Sequence, residues 1–92
     1  MADESALARL RAAPARAVGT NQTTKAITRG IAAEVFVAAD ADRRVIDPVV
    51  RAAAERGVGL IEVESMTALG RACGIAVGAA AAAVLVGEPM SR

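Results

Sequence analysis

Apolar and polar residues follow one another along the chain with two spacings, one typical of amphipathic helices and one typical of short strands. Helical spacing predicts helices over residues 3–13, 21–29, 48–56 and 66–71. Runs of strand-favouring residues predict strands over 16–18, 34–39, 60–63 and 84–86, the last preceded by a helical turn that starts at Ala79. This alternation predicts an α/β fold, with a largely parallel or mixed sheet and helices on both faces.

The predicted helices begin and end at residues suited to those positions. Thr20 is a suitable N-cap for the second helix, because its hydroxyl can accept a hydrogen bond from a first-turn amide. Asp47 followed by Pro48 predicts the start of the third helix, and Ser65 predicts the N-cap of the fourth. Glycine favours the left-handed conformation that ends many helices. Two glycines stand at predicted helix ends, Gly30 and Gly57.

The composition fits a single domain over residues 1–92, with a frayed tail over residues 87–92. Alanine supplies much of the 54% hydrophobic content, which favours closely packed layers over a bulky core. Phe36 is the only aromatic residue, which argues against RNA-binding modules that stack bases on exposed rings. The net charge of +1 argues against non-specific coating of RNA, although a local basic face remains compatible with RNA binding.

The residue types present argue against catalysis and against metal binding. The chain has no histidine and a single cysteine, Cys73, which excludes Ser-His-Asp and Cys-His catalysis and an internal disulfide. Asp40 and Asp42 stand beside two arginines and are more simply interpreted as a solvated turn than as a metal-binding pair. We therefore expect a protein that is not an enzyme, with no catalytic residue, no metal and no cofactor.

The sequence pattern predicts neither a signal peptide nor a membrane-spanning segment. The first residues are acidic and lack the basic-then-apolar order of a signal peptide. The longest run without a charge, residues 72–87, is too short to span a bilayer. We expect a cytoplasmic protein that does not act at a membrane.

The first candidate for a binding site is the segment 19–25. A glycine followed by a helix start presents backbone amides and the positive end of a helix dipole, which suits an anion. Asn21 and Gln22 add amides that can read base edges, and Lys25 and Arg29 follow at one-turn intervals. On spacing alone, an ordinary capped surface helix remains the alternative.

The second candidate is the apolar loop between Gly74 and Gly78. Ile75, Ala76 and Val77 could form an exposed platform for an unstacked base. Because most isoleucines and valines are buried, burial under a neighbouring helix is the competing interpretation.

Three segments in order and at matching spacing resemble the L7Ae family of ribosomal and kink-turn-binding proteins. They are Gly19-Thr20-Asn21-Gln22-Thr23-Thr24-Lys25, Val37-Ala38-Ala39-Asp40-Ala41-Asp42 and Leu69-Gly70-Arg71-Ala72-Cys73-Gly74-Ile75-Ala76-Val77-Gly78-Ala79-Ala80. The match extends over a core of about residues 6–86, nearly the whole chain. The segments Glu64-Ser65-Met66 and Cys73-Gly74-Ile75 are most similar to the bacterial branch of that family.

The resemblance implies a three-layer α-β-α sandwich around a mixed four-stranded sheet. It also implies binding to kink-turn RNA, a sharply bent RNA with tandem sheared G·A pairs and an extruded nucleotide. Asp40 would support the reading group or contact it through Lys25. The implied RNA-binding residues are Gly19, Thr20, Asn21, Gln22, Lys25, Asp40, Ile75, Ala76 and Val77, and helical spacing adds Arg29. The implied partner is a structured RNA, and the implied protein is ribosomal or ribosome-associated; a protein-interaction module on the same fold is the alternative. A monomer is the simplest expectation for the oligomeric state.

Two positions depart from the family pattern. Many archaeal members have glutamate where this chain has Gln22, and an amide both donates and accepts hydrogen bonds. Many also have lysine where this chain has Met66. Loss of a phosphate contact there predicts weaker and less salt-dependent RNA binding.

Overall fold

The computed structural model describes residues 4–86, which form four helices and four strands in alternation. The helices are α1 (Glu4–Ala12), α2 (Thr20–Thr28), α3 (Arg43–Arg56) and α4 (Met66–Ala72). The strands are β1 (Arg16–Val18), β2 (Ala32–Ala38), β3 (Leu60–Val63) and β4 (Ala81–Leu85). The predicted frayed tail lies outside the described residues. Within residues 4–86, no helix has the length and apolar character needed to cross a membrane.

The strands form one mixed sheet in the order β1-β4-β2-β3. β4 runs antiparallel to β1 and β2, whereas β2 and β3 are parallel. Helices cover both faces: α1 and α4 pack on one face, and α2 and α3 pack on the other. The expected three-layer α-β-α sandwich with a mixed four-stranded sheet is confirmed. The predicted bounds of β1 and β3 are also confirmed.

The alanine-rich strand β4 occupies the middle of the sheet. Ala81, Ala82 and Ala83 are fully buried, and their side chains alternate between the two helical layers. The prediction of a helical turn from Ala79, with a strand only from Val84, was wrong. Pairing with two neighbouring strands outweighs the helix propensity of alanine, which is a weak local preference.

The start of α3 was also predicted wrongly. Asp42 is its N-cap, and the Asp42 carboxylate accepts a hydrogen bond from the Arg44 amide at 2.8 Å. Pro48 therefore lies inside the helix, where it removes one backbone hydrogen bond. Asp47 instead forms an ion pair with Arg51 one turn further along. The earlier start is favoured because it places Ile46 in the core between the sheet and helices α2 and α3, and the burial of this side chain offsets the bond lost at Pro48.

Three helix boundaries follow the predictions. Ser65 caps α4 by accepting a hydrogen bond from the Ala68 amide at 3.0 Å. Gly57 ends α3 with a φ of 69°, and Gly30 follows the end of α2 with a φ of 78°. These two positive φ angles are the left-handed conformations that favour glycine.

The topology brings several chain segments to one end of the sheet. β1, β2 and β3 point in the same direction, because β4 is antiparallel to both β1 and β2. Their carboxyl ends therefore meet at one end of the sheet, where α2, α3 and α4 begin and β4 also begins. We call this the helix-start end. In α/β sheets, ligands bind preferentially outside the carboxyl ends of the strands.

Candidate nucleic-acid interface

Backbone hydrogen bonds join the predicted binding segments at the helix-start end. The Gly19 amide donates to the Ala81 carbonyl oxygen at 2.8 Å, which ties the start of α2 to the start of β4. The Ala38 amide donates to the Ala80 carbonyl oxygen at 2.9 Å, which ties the end of β2 to the same place. The start of α2, the segment after β2 and the loop before β4 therefore lie side by side.

The start of α2 is built around Gly19. Gly19 is the N-cap, with a φ of 96° that a residue with a side chain rarely adopts. The prediction of Thr20 as the N-cap was wrong, because Thr20 already lies in the helix and no side chain caps this end. First-turn amides lack partners within their own helix, so the start of α2 retains backbone donors for an external acceptor.

The polar side chains of this first turn point into solvent. Asn21, Gln22 and Lys25 are exposed, whereas Thr23 and Ala26 on the other side of α2 are buried. Within residues 4–86, Lys25 has no carboxylate within 4 Å. The side chains of Asn21 and Gln22 form no hydrogen bond within the same part of the chain. These three side chains are therefore available to a ligand.

Arg29 lies at the other end of α2. It is exposed and serves as the C-cap, and it is separated from Asn21 by about 12 Å along the helix axis at 1.5 Å per residue. Together with Gln22 and Lys25 it lines a groove of about 230 Å³ between α2 and β1. Arg29 is therefore not part of the cluster at the helix-start end.

Asp40 has a partner that the sequence did not suggest. One of its carboxylate oxygens accepts a hydrogen bond from the Met66 amide at 2.8 Å. Asp40 thus joins the end of β2 to the first turn of α4. Within residues 4–86, Asp40 forms no ion pair with Lys25. The Asp40 carboxylate instead helps to fix the position of α4.

The loop before β4 presents apolar side chains to solvent. Val77 is 71% exposed and Ala76 is also exposed, whereas Ile75 is half-buried against the core between α1 and α4. The interpretation that all three are buried is wrong, and the platform interpretation fits Ala76 and Val77. An exposed valine costs hydrophobic free energy, which an unstacked base lying on it would recover.

Two glycines hold this loop against α4: Gly78, which ends the loop, and Gly70, which lies within the helix. A Cβ on Gly70 would collide with the carbonyl oxygen of Val77, and a Cβ on Gly78 would lie 3.0 Å from the Cβ of Met66. The Ile75 amide also donates to the Gly70 carbonyl oxygen at 3.1 Å. The signal available in the sequence was a glycine inside a helix, which weakens a helix unless close packing requires it.

The helix dipoles at the helix-start end favour an anion. The positive ends of the α2, α3 and α4 dipoles all lie there. Burial raises the pKa of the Cys73 thiol despite the opposing effect of nearby Arg16, so Cys73 is a poor nucleophile. Within residues 4–86, no group of three carboxylate or thiol side chains could hold a metal ion. The arrangement suits polar and apolar recognition of a polyanion.

Comparisons with known proteins bear on this arrangement. Residues 2–90 match the model of the ribosomal protein L7Ae/L30e/S12e/Gadd45 family. RNA-binding protein YbxF of Geobacillus stearothermophilus is 52% identical over 68 residues, which cover 74% of this chain and 83% of that protein. Large ribosomal subunit protein eL8 of Halobacterium salinarum is 48% identical over 68 residues, which cover 73% of this chain and 57% of that protein. The structure of the 15.5kD RNA binding protein of Giardia lamblia superimposes with a TM-score of 0.85 and 29% identity, over 96% of this chain and 80% of that one.

Proposed function

We propose that this chain, which belongs to the L7Ae/L30e/S12e/Gadd45 family of ribosomal proteins, is an RNA-binding protein that recognises kink-turn RNA at the helix-start end. The relatives named above are RNA-binding and ribosomal proteins. The resemblance inferred from the sequence is thus confirmed, as is the expectation that the protein is not an enzyme. Kink-turn recognition, the cytoplasmic location and association with the ribosome are parts of the proposal.

The convergence of polar readers and an apolar platform carries the proposal. Asn21 and Gln22 can donate to and accept from the base edges of sheared G·A pairs, because an amide does both. Lys25 lies one turn behind Asn21 and supplies the positive charge. Val77 offers an apolar surface of the kind on which an extruded base can lie. A straight duplex presents neither an extruded base nor sheared pairs.

Two residues set the expected strength of binding. Gln22 is neutral, so it cannot accept from guanine with the strength of a carboxylate. Met66 is half-buried against the core of α1 and α4, and it offers no cation to a phosphate. We therefore expect weaker and less salt-dependent binding than in relatives with a lysine at this position.

The protein is expected to bind a kink-turn duplex at least tenfold more tightly than a straight duplex of the same length and composition. The reason is that only the kinked RNA can engage the α2 readers and the Val77 platform together. Calorimetric or filter-binding titrations at one fixed salt concentration would measure both affinities. Equal affinity for the two RNAs would contradict kink-turn recognition.

Replacement of Lys25 by alanine is expected to weaken kink-turn binding by about 1–3 kcal/mol. Lys25 is exposed and has no carboxylate partner within residues 4–86, so its removal should leave the free energy of unfolding nearly unchanged. Titration of both proteins, with unfolding curves in urea, would check the two expectations. Arg56→Ala is a matched control, since Arg56 is an exposed cation at the opposite end of the sheet. Wild-type affinity in the Lys25 variant would remove Lys25 from the site.

The alternative of a protein-interaction module predicts a larger exposed apolar patch. The exposed large apolar side chains within residues 4–86 are single residues on different elements: Val45, Leu60, Val77 and Val86. Val77 lies in the loop beside the α2 readers, and Val45 lies in the first turn of α3 at the same end of the sheet. The distribution therefore favours RNA, and we propose a monomer that binds structured RNA, with ribosomal RNA as one candidate.

A further inference from the structure

Two arginines open α3 at the helix-start end. Arg43 and Arg44 are its first two residues, and both are exposed, Arg44 with 92% of its side chain accessible. Within residues 4–86, Arg43 has no carboxylate within 4 Å. Nε of Arg44 lies 3.7 Å from Oδ1 of Asp42, which is the distance of a weak, solvent-exposed ion pair. Two exposed cations therefore project from this end of the sheet, next to the exposed carboxylates of Asp40 and Asp42.

Helix stability does not explain these arginines. The N-terminus of a helix carries a partial positive charge, so cations in the first turn are unfavourable there. The first turn of α3 holds no acidic residue, and within residues 4–86 the N-cap carboxylate of Asp42 pairs with Arg44 alone, at 3.7 Å. The Asp42 cap uses the backbone amide of Arg44, so it does not require an arginine side chain. The charges disfavour the helix that carries them, which suggests that they serve an external anion.

The position of the pair is continuous with the proposed RNA interface. α2 and α3 lie on the same face of the sheet, and both run away from the helix-start end, since each follows the carboxyl end of a strand. Packed helices have axes roughly 8–10 Å apart, so the first turn of α3 lies beside the first turn of α2. An RNA that sits on Asn21 and Gln22 would continue past Arg43 and Arg44.

Backbone amides at helix starts hold the two nearby carboxylates, Asp40 and Asp42, in place. Asp40 accepts from the Met66 amide, and Asp42 accepts from the Arg44 amide, so each is engaged at a helix start. Arginine presents a planar fork of donors that matches a phosphate group. The chemistry at this position therefore suits the phosphates of an RNA strand.

We infer that Arg43 and Arg44 form a second, sequence-independent contact, which holds backbone phosphates of the stem that flanks the recognised bend. This inference rests on the proposed function. The two arginines add phosphate contacts beside α3. These contacts offset part of the RNA affinity that is lost because Met66 offers no cation to a phosphate.

The test uses the double variant Arg43→Gln, Arg44→Gln of the full chain and a kink-turn duplex with complete stems. Kink-turn affinity should fall on the order of tenfold, and the slope of log affinity against log salt should shrink by about one to two. The preference for the kinked over the straight duplex should persist, because the base readers remain. Thermal stability without RNA should be unchanged or higher, because unfavourable charges leave the helix start.

The matched control is Arg51→Gln, Arg56→Gln, which removes the same charge from the same helix beyond its first turn. It should keep the salt slope of the wild type, and its thermal stability should fall, since Arg51 pairs with Asp47. The inference would be wrong if the Arg43→Gln, Arg44→Gln variant kept the wild-type slope of log affinity against log salt. It would also be wrong if both double variants lost affinity equally. If the wild type itself fails to prefer the kink-turn, the proposed function fails instead.

Discussion

Gly70→Ala is expected to weaken kink-turn binding on the order of tenfold or more, and to lower the free energy of unfolding by about 1–3 kcal/mol. A Cβ at this position would collide with the carbonyl oxygen of Val77, which is backbone and cannot rotate away. The loop must then move off α4, and the exposed valine moves with it. The hydrogen bond from the Ile75 amide to the Gly70 carbonyl oxygen would be strained by the same shift.

Titration with kink-turn RNA and urea unfolding followed by circular dichroism would measure the two losses separately. Gly59→Ala is a matched control, because a Cβ on Gly59 would meet no heavy atom within 4 Å. Gly59 also precedes β3, at the end of the sheet remote from the interface. An unaltered affinity in the Gly70 variant would show that RNA does not depend on the position of this loop.

Phe36→Ala is expected to lower the free energy of unfolding by about 3–5 kcal/mol, the largest stability change among these substitutions. Phe36 is fully buried in the core between the sheet and helices α1 and α4. Most of the buried residues around it are smaller, and alanines are frequent among them, so the structure can close the cavity only in part. Domains of this size have total stabilities of about 5–15 kcal/mol, so the loss would be a large fraction.

Urea unfolding followed by far-ultraviolet circular dichroism would measure this effect, since the chain has no tryptophan or tyrosine for fluorescence. Val45→Ala provides a comparison, because Val45 is 46% exposed and its truncation should change stability by roughly 0.5 kcal/mol or less. A change of similar size in both variants would mean that the core does not depend on Phe36. Saturating kink-turn RNA should raise the melting temperature of the Phe36 variant, since a ligand of the folded state stabilises it.

Local sequence patterns were sufficient to predict the elements in which no second local signal competes. β3 and the start of α4 were predicted from a strand-favouring run and from Ser65, and the structure keeps both. The errors occurred where two local signals competed. Asp42 and Asp47 are both suitable caps, and only the packing of Ile46 in the core of α2 and α3 favours the earlier start.

The candidate site was predictable only where it depends on a single chain segment. The donors at Asn21, Gln22 and Lys25 follow from the sequence of a single helix start. The exposure of Val77 does not, because it depends on how closely the loop approaches Gly70 across chain segments. The partner of Asp40 also lies 26 residues away, so no local pattern could reveal it.

The alanines of β4 have a consequence for how the strand finds its pairing. A slip of one residue moves every side chain of a strand to the opposite face, and burial normally opposes this strongly. Ala81, Ala82 and Ala83 are identical in shape, so their burial cannot distinguish the correct alignment from its neighbours. The alignment depends instead on Val84 and Leu85, which pack on opposite faces, and on the bond from the Gly19 amide to Ala81. The contact that positions the start of α2 for the proposed RNA contact thus also sets the alignment of the central strand.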